Sequence, residues 1–190
     1  MIAAPAEVAP RRFDIPRPLL RAALAAGLLA PAVGIAAAPA DFSFGIRGGE
    51  GAAYAGHQEF EGQELYLRAE PSAWRSQRDP LQGGLELGVG RIRYGSDSAT
   101  ALYLGPVVTW QAPVEALALE AGTRLTWLSR HEFDDRDLGG PFQFTTHIGL
   151  VWKLSRQFHM ALRLQHTSNG GIYDENPGLD LQMLEVRYRY

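Results

Sequence analysis

From Asp41 to the last residue the chain is dominated by alternation of period two. Leu117, Leu119, Ala121, Thr123, Leu125 and Trp127 alternate with Ala118, Glu120, Gly122, Arg124 and Thr126. Phe142, Phe144, Thr146, Ile148, Leu150, Trp152 and Leu154 repeat the pattern, with Gln143, Thr145, His147 and Gly149 between them. Successive side chains of a strand point to opposite faces, so each such segment reads as a strand with one apolar face. The other face is small, polar or charged. Eight segments of this kind lie near residues 41–49, 59–70, 83–94, 99–110, 114–128, 141–154, 158–168 and 178–190. Several exceed the usual globular strand and suit the roughly 9–11 tilted residues that cross a bilayer.

The polar parity decides where water is. It carries Glu120 with Arg124, and Tyr66 with Arg68 and Glu70, a set that fills a small polar interior. The apolar parity then faces lipid. An even strand number and Trp110, Trp127 and Trp152 near strand ends fit interfacial aromatic girdles. The expected fold is all-β: an eight-stranded antiparallel transmembrane β-barrel of the outer membrane. The terminal alternation Leu184, Val186, Tyr188, Tyr190 resembles the signal by which such proteins engage the barrel assembly machinery. A soluble lipocalin-like barrel is the competing architecture.

Residues 1–40 read as a secretory signal peptide, leaving 41–190 as the barrel domain. Arg11, Arg12, Arg17 and Arg21 supply a positive start, Ala22 to Ala37 a short apolar stretch, and Ala38-Pro39-Ala40 a small-x-small cleavage pattern. The absence of cysteine excludes disulfides and thiolate metal sites. A net charge of −3 gives no reason to expect nucleic acid. Lys153 stands alone against seventeen arginines among the 18 basic residues. The guanidinium fork suits phosphorylated lipid, and a GC-rich genome explains the same bias equally well.

With both termini in the periplasm, Gln111-Ala112-Pro113 and Ser155-Arg156-Gln157 become short periplasmic turns, and Ser129 to Gly140 an external loop. Pro71 to Gln82 is long for a turn on that side, and the pattern gives no reason for it.

Chemistry concentrates at the end of the seventh segment, in His166-Thr167-Ser168-Asn169-Gly170-Gly171, followed by Asn176, Pro177, Gly178 and Asp180. His166 and Ser168 share the face of Leu164, Leu162 and Met160, which is the lipid-facing one. Counting back from Tyr190 through Val186 and Gln182 puts Asp180 on the same wall. Bases and charges facing lipid are costly and call for a reason. Here one is available. Ser168 needs a neighbouring base, which His166 provides, and a carboxylate at Asp180 fixes the imidazole tautomer. Asn169, Asn176 and the amides around Gly170 and Gly171 are candidate oxyanion donors or substrate contacts. Asn-Gly-Gly and Asn-Pro-Gly are also ordinary turn formers.

Residues 164–180, LQHTSNGGIYDENPGLD, resemble the active-site segment of the PagL family of lipid A 3-O-deacylases. The family's His-x-Ser-Asn falls on His166, Ser168 and Asn169, its Gly-Ile on Gly171 and Ile172, and its loop asparagine and glycine on Asn176 and Gly178. The resemblance implies a metal-free, cofactor-free Ser-His-acid esterase that removes the 3-O-linked acyl chain of lipid A in lipopolysaccharide. The implied partners are that lipid, the outer-membrane lipids around it and the assembly machinery; a homodimer is allowed. The family carries glutamate where this chain has Asp180, one methylene shorter, and Glu175 is a fallback.

Other features are weaker. His147 sits on the interior parity. His57 and His131, near Glu59 and Glu132, are poor metal candidates. Gly88-Val89-Gly90 lacks the Gly-Lys-Ser/Thr of a phosphate loop. Arg93 and Arg130 read as solvated rim charge more readily than as phosphate contacts. Two further readings stay open: a non-enzymatic small barrel for adhesion or envelope structure, and an acyltransferase.

Overall fold

The computed structural model describes residues 39–56, 59–78 and 80–190. The expected signal peptide and His57 lie outside these residues, apart from the Pro39-Ala40 end of the signal. Ten strands follow in chain order: β1 (Ala40–Gly51), β2 (Phe60–Pro71), β3 (Leu81–Tyr94), β4 (Asp97–Gln111), β5 (Leu117–Leu128), β6 (Glu132–Phe133), β7 (Arg136–Asp137), β8 (Phe142–Lys153), β9 (Phe158–Ser168) and β10 (Leu179–Arg189). Eight of them close into an antiparallel barrel, β1-β2-β3-β4-β5-β8-β9-β10, in which β10 pairs back to β1. The short strands β6 and β7 form a separate hairpin inside the β5–β8 connection. No helix among the described residues is long and apolar enough to cross a membrane. The barrel crosses with strands.

Parity holds through the walls. On β9 the residues from Phe158 to His166 alternate exposed and buried, with Met160, Leu162 and Leu164 outward and His159, Ala161, Arg163 and Gln165 inward. At one end of the barrel Phe44, Phe158, Tyr188 and Tyr190 cluster on the outer wall, with Phe158 and Tyr188 centroids 5.1 Å apart. Amphipathic rings favour the membrane–water interface, so this belt marks one boundary of the apolar band.

The interior is a packed charge network. Arg47, Arg68, Arg124, Arg163 and Arg187 are buried together with Glu64, Glu86, Glu120 and Glu185. Arg68 donates to both carboxylate oxygens of Glu120 at 2.6 and 2.8 Å and to Glu86 at 2.7 Å. Arg187 reaches Glu120 at 2.9 Å and also pairs with Glu185. Burying a charge is tolerable only when it is paired and hydrogen-bonded, and these groups supply each other's partners, Arg163 excepted, which has ion-pair distances alone. Gly88 makes room for this: a Cβ there would lie 2.6 Å from Glu64 Oε1. The Gly-Val-Gly run is thus a packing feature.

Towards the opposite end the same inward parity turns apolar. Phe60, Ile92, Leu128, Leu179, Leu181 and Met183 form a buried cluster, joined by Phe133 and Leu138 of the β6–β7 connection. This plug departs from the uniformly polar interior that the alternation implies. Near the strand ends both parities are apolar, so period alone does not distinguish them.

The Pro71–Gln82 linker also finds its reason. Ser72–Trp74 form a short 3-10 turn, Arg75 bridges to Gln82, and the Arg75 Nε–H donates to Gln82 Oε1 at 2.8 Å. The segment folds back over the start of β3, where Trp74 lies against Gly83.

Candidate active site

The β9–β10 pairing sets His166 directly opposite Asp180. On the outer wall the His166 Nδ1 and Asp180 Oδ1 atoms are 2.9 Å apart. A carboxylate can only accept, so Nδ1 carries the proton, and in the neutral imidazole Nε2 holds the lone pair. The imidazole is half exposed and the carboxylate is about four-fifths covered (side-chain exposures of 50% and 21%). Gly178, at φ +74°, packs against the ring; a Cβ there would lie 2.9 Å from His166 Cε1. Only glycine satisfies both the backbone conformation and the contact.

Ser168 lies two residues beyond His166 on the same outward face and is half-buried. Its Oγ has no hydrogen-bond partner among the described residues. The structure thus brings His166 and Asp180 together and leaves Ser168 beside them on one wall, without a Ser–His hydrogen bond. Catalytic hydrogen bonds are often loose in the absence of substrate.

The expected oxyanion donors separate into two groups. Asn169 is fully buried, and its Nδ2 donates to Leu138 O at 3.1 Å and to Glu175 O at 2.6 Å. Its Oδ1 accepts from the Gly171 amide at 2.8 Å. The Asn169 side chain and the Gly171 N–H are therefore engaged inside the loop in this structure. Asn176 differs. Its Oδ1 accepts from the Asn169 amide at 3.1 Å, and the residue is exposed, with its Nδ2 group left over. That group and the Gly170 amide have no partner among the described residues.

Glu175 does not replace Asp180: its backbone carbonyl holds Asn169, while Asp180 meets the imidazole. Sequence reasoning missed Tyr54, in the 3-10 turn Ala53–Ala55 next to β1. Ala52 N donates to Asp180 O at 2.9 Å, and Tyr54, though largely exposed, has its hydroxyl raised above the ordinary value by slight desolvation and the Asp180 charge. No period or motif links Tyr54 to a residue so far along the chain.

The remaining candidates have partners of their own. His147 is buried inside, with Nε2 3.7 Å from Glu120. Arg93 pairs with Glu61 and Arg130 with Asp97. His131, Glu132 and Asp137 bring ligand-type atoms within 4.8 Å of one another, but His131 Nδ1 is bonded to Asp137 at 2.9 Å.

Comparison with known proteins decides the family. The family model described as lipid A 3-O-deacylase (PagL) matches residues 61–189. The chain belongs to the PagL family. The description makes it a family of ester hydrolases, since removing a 3-O-linked acyl chain cleaves an ester. Within it, the chain is 33% identical over 131 residues to the lipid A deacylase PagL of Bordetella bronchiseptica, covering 63% of this chain and 71% of that one. The crystal structure of the outer membrane enzyme PagL superposes with a TM-score of 0.64 at 20% identity, over 76% of this chain and 97% of that one. The closed antiparallel barrel is thus the outer-membrane fold of the family, and the soluble lipocalin-like alternative is set aside.

Proposed function

We propose that this chain is an outer-membrane esterase that removes the 3-O-linked acyl chain of lipid A, with Ser168 as nucleophile, His166 as base and Asp180 as the group that orients it. The observation that carries the site assignment is the 2.9 Å contact between His166 Nδ1 and Asp180 Oδ1 on the lipid-facing wall, with Ser168 two residues away on that face. A catalytic pair on the lipid-facing wall favours an ester that lies in the bilayer.

In this reading Nε2 of His166 takes the Ser168 proton as Oγ attacks the acyl carbonyl. Asp180 stabilises the imidazolium without itself becoming protonated. The Asn176 Nδ2 group and the Gly170 amide hold the developing oxyanion. His166 returns the proton to the sugar oxygen as it leaves. Water, deprotonated by the same imidazole, then releases the fatty acid from Ser168.

The surrounding wall supports a lipid substrate. Leu162, Leu164 and Leu184 are exposed below the site. A groove of about 650 Å³, floored by Gly48, Gly49 and Gly62 and edged by Leu162 and Leu184, lies beside Gln182 on the same face. We place the catalytic end of the barrel in the external leaflet, with residues 1–40 as export signal and the terminal Tyr190 as the assembly machinery's contact.

The test is the lipid A mass profile after expression in a Gram-negative host. Loss of one 3-hydroxyacyl chain with wild type, and not with Ser168→Ala, is expected. An unchanged profile with both proteins would refute the proposal. Transfer of the chain to another acceptor would appear as an acylated product in place of free fatty acid.

A further inference from the structure

Three observations tie the β6–β7 hairpin to the catalytic loop. The hairpin is rooted in the barrel mouth: Phe133 and Leu138 are buried in the apolar plug, and Phe133 meets Phe60 edge-on at 5.7 Å. It is also held laterally, because Asp97 Oδ2 accepts from the Asp134 amide at 3.1 Å and the Tyr94 hydroxyl donates to Asp135 at 2.9 Å. Its trailing end, Leu138-Gly139-Gly140, then forms the bed on which residues 169–178 lie. Leu138 O accepts from Asn169 Nδ2 at 3.1 Å.

The contact tolerates no side chain. Gly139 has φ +89°, and a Cβ there would fall inside the Glu175 carbonyl oxygen and 2.6 Å from Asn169 Nδ2. A Cβ on Gly140 would fall into the Tyr173 ring. Asn169 is the residue next to Ser168, and its amide holds Asn176. Displacing Asn169 therefore moves the nucleophile and the free Nδ2 donor together.

We infer that Gly139 and Gly140 are positioning residues: they set where the catalytic loop sits, and through Asn169 they fix Ser168 relative to Asn176. The inference rests on the reading of Ser168 as nucleophile, but its geometry does not. Misplacing a reacting group by about 1 Å can cost on the order of 100-fold in rate.

The experiment compares Gly139→Ala, Gly140→Ala and Gly140→Ala/Tyr173→Ala with wild type in detergent micelles. Gly95→Ala is the control, since Gly95 has φ +54° with open space around it and reports backbone strain alone. Circular dichroism verifies the barrel. Gly139→Ala is expected to lower kcat by roughly 100-fold with KM within about twofold, and to speed hydrogen exchange at the Asn169 and Gly171 amides. Gly95→Ala should change neither. Removing the Tyr173 ring should restore activity to Gly140→Ala at least about tenfold, because the clash is with that ring. Wild-type kcat and wild-type amide protection in Gly139→Ala would overturn the inference, as would a double variant no better than Gly140→Ala alone. If Gly139→Ala does not fold, the Gly140/Tyr173 pair carries the test. An inactive wild type would refute the deacylase reading, while the exchange rates would still decide the positioning.

Discussion

His166 and Asp180 face each other across the β9–β10 ladder, and their side chains meet at 2.9 Å on the outer wall. Direct opposition of the two residues places the shorter aspartate within reach of Nδ1. A glutamate at this position has one methylene more than the contact needs. Asp180→Asn is expected to lower kcat by about 10⁴-fold, since an amide does not enforce the productive tautomer. Asp180→Glu should retain far more activity than Asp180→Asn. Steady-state kinetics on purified lipopolysaccharide checks both, and equal losses would remove Asp180 from the orienting role.

The two asparagines should fail differently. Asn176→Asp removes the Nδ2 donor and keeps an oxygen to accept from the Asn169 amide, so kcat should fall at least about 10²–10³-fold with stability nearly unchanged. Asn169→Ala removes the donor to Glu175 O and one of the two donors to Leu138 O, which keeps Gln143 Nε2 at 3.0 Å, an expected loss of about 0.5–1.5 kcal/mol for each hydrogen bond. Its expected signature is faster exchange across residues 169–178 as well as lost activity. Kinetics and hydrogen exchange on the same samples separate the two.

The interior arginines should not be equivalent. Glu120→Gln leaves Arg68 and Arg187 short of a charge partner and is expected to destabilise the barrel by roughly 3–5 kcal/mol. Arg163 is different: it is buried 3.7 Å from Glu86 and 3.9 Å from Glu120, and none of its nitrogens makes a hydrogen bond among the described residues. Arg163→Met should therefore be neutral or stabilising by up to about 4 kcal/mol. Urea unfolding midpoints in micelles report both, and neither should alter kcat, because both side chains face away from the site.

Acid should loosen the hairpin. The hydrogen bond with His131, then the one from the Gly139 amide, hold the Asp137 carboxyl below its ordinary value. A carboxyl whose folded value is depressed stabilises the fold above its unfolded value. That contribution is lost as pH falls through the depressed value. Exchange at the Gly139 amide should accelerate on acidification below the ordinary carboxylate range, and Asp137→Asn should remove that pH dependence. A flat profile in wild type would show that the pair does not hold the hairpin.

Much of the fold was legible because the physics of a barrel wall is local. Lipid outside and charge inside impose period two on every strand, so the eight wall segments and the outward faces of His166, Ser168 and Asp180 follow from counting. The β6–β7 hairpin was not legible, since two-residue strands carry no period. The apolar plug escaped for a related reason. Its members come from β2, β3, β4, β5, β10 and the hairpin connection, each adding only one to three residues.

The sequence by itself determined the barrel, its lipid-facing wall and the residue types at the site, because side-chain parity depends only on neighbours along the chain. Only the tertiary structure decided the register that puts Asp180 opposite His166, the burial that commits Asn169 to the loop, and the hairpin bed beneath it. Those depend on hydrogen bonds between segments far apart in sequence, where a shift of one residue would turn the carboxylate to the other face.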